Sequence, residues 1–573
     1  MEFVTGQRQV VINFSETFCK TETEILNSAC FKGVWKKFLM NVRKRERQDL
    51  IKILKLFPKP EVDYIDLFKL LLSFDIDEIK VMSPFYNIAL EFKEGIYELV
   101  EEFYDYWRKL ERYSVVFSNK GIGGIESSTF ISAQQAFTSL VLKTYRTISE
   151  KLYGEVFNIY RQLPAGINAA LLISKHAWMP ANSPYAFLAK SEAIEQILIR
   201  PPFISYSDKN KRTGTYKEVF ENPINLFKDK IKASEYYCYP AMVGSALTYV
   251  YFHRDYMAHG ITLCNLFEFV PLSRIKGKKP DCIYIFGAPY NEESYFYHDK
   301  ENDIYVGVAP HDVSIDYFGY MKKMMLTLYN TKMIESGNLP LHGACVHITM
   351  KNGTKKNIVI IGDSGAGKSE SLEALSAVAG DNISSQLTVF DDMGTFKMVD
   401  GKIKAYGTEI GAFVRLDDMA SGYAYNEMDR AIFMNPDKVN SRLVIPVATY
   451  PQIMRGYEVD MVLYANNYAP EEEAPEAITF FKDEEAAKKV FIRGARKAKG
   501  TTQEIGLVES FFANPFGPVQ REDKTRVIID SMFKWLFDNE IPVGELHTRL
   551  AVPGQEHDGP AKAARELFKL LEK

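Results

Sequence analysis

The residues Gly362-Asp363-Ser364-Gly365-Ala366-Gly367-Lys368-Ser369 match G-x-x-x-x-G-K-[ST] at every fixed position. Glycines let a backbone curl until several N–H groups point at one phosphate. A helix beginning near Lys368 adds its positive dipole end. In that arrangement Lys368 places a cation on the β- and γ-phosphates and Ser369 a hydroxyl on Mg²⁺. Some twenty residues on, Leu387-Thr388-Val389-Phe390 reads as a strand ending in Asp391-Asp392. Two carboxylates at a strand end are ordinarily a turn, but beside a phosphate loop they suit a divalent ion. The chemistry to expect is nucleotide binding with metal-assisted phosphoryl transfer.

Elements of the right kind flank the loop. Cys345–Met350 and Asn357–Ile361 are strand-like runs joined through Lys351-Asn352-Gly353-Thr354, an Asn-Gly hairpin turn. The second run leads into the glycine loop, and Leu372, Leu375 and Ala379 give the following segment a helical period. The chain has 573 residues, enough for about three or four domain-sized pieces. Residues 1–153 read as helical, with an apolar stripe from Ile88 to Leu110 and a second run from about Ser128 to Tyr160. The basic cluster from Lys36 to Arg47 reads as a solvated helix face. From residue 154 to 335, short β-rich runs such as Ala246–Phe252 and Cys282–Phe286 predict a mixed α/β domain. Residues 336–573 form the nucleotide- and metal-binding domain.

With 70 Lys and Arg against 74 Asp and Glu, the net charge is −4, which gives no reason to expect a nucleic acid or an anionic membrane as partner. Six cysteines without C-x-x-C spacing argue against a disulfide framework or a structural zinc site. The N-terminal residues have no signal-peptide design, and no apolar run reaches the ~18 residues of a membrane span. A cytoplasmic protein is expected.

Further motifs, in order, give a resemblance to a known family. Tyr317-Phe318-Gly319-Tyr320-Met321-Lys322-Lys323, Leu341-His342-Gly343, the glycine loop, Phe390-Asp391-Asp392, Glu409 to Arg415, Asn440-Ser441-Arg442 and Phe511 to Gly517 together resemble the phosphoenolpyruvate carboxykinases. There is a secondary likeness to HPr kinase/phosphatase. The likeness covers about residues 240–520. It implies a carboxykinase-like mixed α/β domain and a P-loop-containing kinase core, preceded here by an all-α region. It also implies a transition metal, commonly Mn²⁺, on Lys323, His342 and Asp392, and Mg²⁺ on Ser369 and the nucleotide phosphates, with Asp391 nearby. Lys323 can ligate only as a neutral amine, so its pKa must be pulled down. The resemblance further implies that Arg415 and Arg442 neutralise charge on the transferred phosphoryl group, beside Lys368 on the β- and γ-phosphates, and that Tyr317 contacts the organic acid.

The implied reaction is loss of CO₂ from oxaloacetate and attack of the resulting enolate oxygen on the γ-phosphoryl group, giving phosphoenolpyruvate and a nucleoside diphosphate. ATP is the favoured donor, with GTP and pyrophosphate open. The family's G-R-S-P loop, which grips the substrate carboxylate, has no match; Arg161 and Arg212 are the candidates for its arginine. Tyr320 replaces the motif glutamate, Gly343 a cysteine, and Gln503 the arginine of G-T-E-R. Two other readings stand beside this one. One is a kinase of the same fold acting on a hydroxyl of a metabolite or a protein serine, with Asp391 as base. The other is an inactive nucleotide sensor whose helical N-terminus meets a protein partner.

Overall fold

The computed structural model describes residues 2–572 except 7, 16–17, 119–124, 157–158, 161–162, 176–177, 179–182, 212–215, 417–426, 499–505 and 557. The chain is mixed α/β, with several mixed sheets. It divides into two compact units, one of residues 1–174 and 194–203, the other of residues 175–193 and 204–573. Among the described residues no helix is long and apolar enough to cross a membrane.

The first unit is built on amphipathic helices. Ala29–Lys44, Pro60–Ser73 and Lys93–Lys109 turn Trp35, Phe38, Tyr64, Phe68, Ile96 and Leu99 into one core. The apolar stripe beginning at Ile88 is interrupted: Pro84–Leu90 and Lys93–Lys109 are separate helices. The expectation of an all-helical first segment is corrected. Strands Glu2–Thr5, Gln9–Asn13 and Glu111–Phe117 lie within it, and Glu111–Phe117 pairs in parallel with both Gln9–Asn13 and Ala169–Lys175. These runs are short and β-branched or aromatic, and a helical-period window centred on the long flanking helices hides them. Arg112, buried at the start of the third strand, donates to the carbonyls of Gly166 (2.6 Å), Trp107 (2.8 Å) and Leu110 (2.8 Å). Burial among those dipoles pulls its pKa down to about 10.

The second unit holds two larger sheets. In one, Tyr236–Val243, Ala246–His253, Cys282–Ala288, Ile304–Pro310 and Tyr295–Asp299 lie side by side; the middle three run parallel. The other is ordered around the twelve-residue strand Leu339–Met350. One edge of it pairs with Lys355–Ile361, which continues in parallel to Met461–Asn466 and Val543–His547. Its other edge pairs with two strands in succession, Ile383–Phe390 and Met393–Val399. A smaller sheet carries Gly411–Arg415 against Arg442–Pro446. The helix Phe318–Glu335 is buried on nearly every face, so only a functional or paired lysine is tolerated in its first turns.

His547, at the end of Val543–His547, is 4% exposed, and burial lowers its pKa to about 4, with Arg549 adding to the effect. The imidazole is thus neutral in the fold and takes up a proton more readily once unfolded. Its contribution is complete above pH 6.5 and is lost as the pH falls from 6.5 towards 4, by up to about 3 kcal/mol. Denaturant titrations of wild type and His547→Asn between pH 7.5 and 4 should show a shallower loss for the variant; parallel curves would remove His547 as the cause.

Candidate functional site

Strand register gathers the site. His342 lies opposite Met393, and Cys345 opposite Phe390, on the same edge of the long strand. Asp391 and Asp392 therefore occupy the step between two successive strands, and the Gly343 N–H donates to the Asp392 carbonyl (3.0 Å). On the other edge Gly343 faces Ile361, and the Gly362 N–H donates to the His342 carbonyl (2.9 Å). The histidine, the acid pair and the glycine loop thus meet within one stretch of sheet. Gly343 is needed there: a Cβ would stand 2.4 Å from the Ile360 carbonyl oxygen, which accounts for glycine where the resembling motif has cysteine.

Lys323 Nζ lies 2.6 Å from Asp392 Oδ2, and His342 Nε2 lies 2.9 Å from Asp392 Oδ1. His342 Nδ1 donates to the Ala513 carbonyl (2.8 Å). With that proton on Nδ1, Nε2 meets an Asp392 oxygen at 2.9 Å, a contact between two acceptors that is favourable only with a proton or a cation between them. Lys322, on the next position of the helix, reaches Asp392 Oδ2 (2.7 Å) and Glu409 Oε1 (2.9 Å). Burial lowers the Lys323 pKa, and the neighbouring Lys322 charge adds to this. Burial pushes Lys322 down as well, but Asp392 and Glu409 outweigh it and hold Lys322 charged. Desolvation would raise Asp392; the two lysines and His342 reverse this and hold it well below the carboxylate range. Its neighbour Asp391 is raised by burial, against a hydrogen bond from Ser369 Oγ (2.8 Å). Adjacent carboxylates pushed in opposite directions are suited to different tasks. His342 is lowered by burial, and so stays available as a neutral ligand.

The glycine loop links Lys355–Ile361 to the helix Lys368–Ala379. Gly367 has φ +93°, and a Cβ there would meet the Thr548 side chain at 2.5 Å. Thr548 Oγ1 donates to the Ala366 carbonyl (2.6 Å) and Asn467 Nδ2 to the Gly365 carbonyl (2.9 Å). Lys368 Nζ donates to the carbonyls of Gly362 (2.7 Å) and Asp363 (3.0 Å), inside the loop. The Asp363 side chain turns inward, accepting from Arg496 Nε (2.7 Å) and lying 3.3 Å from His342 Nδ1.

Arg415 and Arg442 stand opposite each other in register. Like charges so placed are unfavourable unless an anion joins them. The Arg442 guanidinium lies over the Phe413 ring (5.2 Å), and Lys322 Nζ approaches the same ring (5.5 Å). Tyr317, the residue before the lysine helix, is buried with its ring 6.1 Å from that of Phe413. Lys323, His342, Asp391, Asp392, Lys368 and Ser369 are linked by these contacts, and Arg442 and Tyr317 join through Phe413. Arg161 and Arg212 lie outside the described residues, as does Gln503.

Glu409, Arg496, Asn467, Thr548 and Phe516 were missed as site-supporting residues. Phe516, 4.7 Å from Lys323 Nζ, and Glu409 sit inside motif segments, so their position could have been found. The rest carry no local signal. The chain matches no known protein-family model, and no curated protein is similar to it.

Proposed function

We propose that the chain is a carboxykinase-like enzyme that converts oxaloacetate and a nucleoside triphosphate, ATP by preference, into phosphoenolpyruvate, a nucleoside diphosphate and CO₂. The observation that carries this reading is the approach of Lys323 and His342 to one carboxylate, Asp392, at 2.6 and 2.9 Å, next to a glycine loop. The donor set fits a transition ion such as Mn²⁺: a lysine and an imidazole both lowered by burial, and an anionic carboxylate. Bound by these three, the ion would supply Lewis-acid polarisation of the organic acid.

The chain's own residues do the remainder. Lys368 leaves its loop carbonyls to meet the β- and γ-phosphates. Ser369 and Asp391 would hold a nucleotide-side Mg²⁺, and Arg415 and Arg442 would neutralise the equatorial oxygens of the transferred group. Lys322 holds Asp392 and Glu409 in place. Tyr317 borders the organic-acid position.

A second reading is favoured by one contact. Asp391, raised by burial and hydrogen-bonded to Ser369, is suited to accept a proton from a hydroxyl. That fits an HPr-kinase-like phosphotransferase. The test incubates the protein with Mn²⁺, Mg²⁺, oxaloacetate and ATP or GTP, and with phosphoenolpyruvate, bicarbonate and ADP or GDP in reverse, followed by ³¹P NMR. Phosphoenolpyruvate formation is expected. No turnover of oxaloacetate, with phosphate transferred to a hydroxyl metabolite or a protein serine, would select the second reading; binding of nucleotide without turnover would leave a sensor.

A further inference from the structure

Among the described residues, three or more His, Cys, Asp or Glu side chains converge at one place: His253, Asp255 and His311, whose ligand atoms all lie within 4.8 Å of one another. None of them belongs to the phosphate-loop site. We propose that these three side chains form a second, independent site for a divalent transition ion of the Zn²⁺ type.

The fold builds the cluster. His253 ends the strand Ala246–His253, and His311 follows the end of Ile304–Pro310. Both strands run parallel to the central strand Cys282–Ala288, so the two histidines leave the sheet at the same end. The carboxyl ends of parallel strands are where open α/β sheets present ligands. On the central strand Gly287, at φ +84° beside a register shift, leaves room for the Tyr256 ring, which a Cβ would meet at 2.7 Å, and for the His253 Cβ, which it would meet at 3.0 Å. The His253 and His311 rings lie 4.6 Å apart and nearly perpendicular. Asp255 comes two residues after His253, in the turn Arg254–Tyr256, and one of its carboxylate oxygens reaches a nitrogen of each ring.

Asp255 Oδ2 is 3.0 Å from His311 Nε2 and 3.4 Å from His253 Nδ1. Ligand atoms around a tetrahedral Zn²⁺ at 2.0–2.1 Å stand roughly 3.3 Å from one another; two of the three spacings are close to this, and an ion would have to displace the Asp255 N–H from His253 Nδ1. The tautomer of His253 is also set. Its Nδ1 accepts the Asp255 backbone N–H (3.2 Å) and is therefore unprotonated, while Nε2 faces Glu235 Oε2 at 3.6 Å. A carboxylate behind the far nitrogen of a ligating imidazole is the outer-shell partner that fixes such a ligand. The lone pair that now accepts the peptide N–H is the one an ion would take. Two imidazoles and one carboxylate favour a borderline ion over Mg²⁺ or Ca²⁺, which prefer all-oxygen sets. Asp255 and His311 are exposed, so a fourth position opens to solvent for water or a small anion.

The test uses the full chain, stripped with chelator and titrated with Zn²⁺ alone by calorimetry, with metal content read by mass spectrometry. Co²⁺ is then added as a spectroscopic probe. In a His342→Ala background, which removes a ligand of the phosphate-loop site, the chain should bind one Zn²⁺ that is lost, or weakened about a hundredfold, when His311→Ala or Asp255→Asn is added. The Co²⁺ complex should show the visible bands of a low-coordinate imidazole site, absent from His311→Ala. Near-UV circular dichroism checks that each variant folds; Asp255→Asn, at an exposed position, is the second variant should His311→Ala fail that check. Unchanged Zn²⁺ stoichiometry and affinity in both variants, or no Zn²⁺ binding in the His342→Ala background, overturns the proposal. Because His342→Ala separates the two sites, this result does not depend on the outcome of the phosphoenolpyruvate assay.

Discussion

Lys323→Ala and His342→Ala are each expected to lower the rate of phosphoenolpyruvate formation by about a thousandfold or more, with nucleotide affinity little changed. Both side chains converge on Asp392; of the loop, His342 meets the Asp363 side chain at 3.3 Å, and that carboxylate is held by Arg496. Losing one preorganised group that stabilises developing charge typically costs about 10²–10³ in rate; losing a ligand to the ion that supplies the same effect should cost at least as much. The measurement is kcat and KM for both substrates at saturating Mn²⁺, with nucleotide Kd determined separately. A fall in kcat at constant Kd is the expected pattern. Either variant retaining full activity would show that the three side chains do not share an ion. Lys323→Arg should not rescue, because a guanidinium does not shed its proton to become a ligand.

The second large effect is on stability. Lys322 is 1% exposed and is paired with both Asp392 and Glu409. Removing it as Lys322→Met would leave the buried Glu409 and the half-buried Asp392 without their shared cation. Breaking a buried pair from one side costs about 3–5 kcal/mol. The pressure falls on Glu409, which burial already raises to about 7. Protonating it relieves the repulsion, so the Lys322→Met deficit should shrink as the pH falls from 8 to 6. Adding Glu409→Gln should recover much of the loss. Urea midpoints of the two variants at pH 6 and 8 check this, and a deficit under about 1 kcal/mol at pH 8 would mean that the triad is not coupled in the fold.

Local signals, glycines before a helix and acids at a strand end, were enough to nominate Lys368, Ser369, Asp391 and Asp392; Lys323 and His342 were nominated only by the resemblance of the motif order to the carboxykinases. Local pattern also showed the hairpin of Cys345–Met350 and Asn357–Ile361 and the helices of the first unit. It missed the strands Glu2–Thr5, Gln9–Asn13 and Glu111–Phe117, since a strand of four to seven residues is stabilised by partners distant in sequence: Glu111–Phe117 lies between Gln9–Asn13 and Ala169–Lys175.

What the amino-acid order alone determined is therefore the cast of reactive groups and the elements that bear them. Tertiary structure decided which of them touch. Asp392 reaches Lys323 across 69 positions and His342 across 50, and Asp363 meets Arg496 across 133. The approach of His253 to His311 across 58 positions came from parallel strand order alone. Such contacts depend on strand register and on the burial that shifts each pKa. Both are properties of the packed chain, because charge–charge energies depend on separation and on the surrounding dielectric, neither of which is written in local sequence.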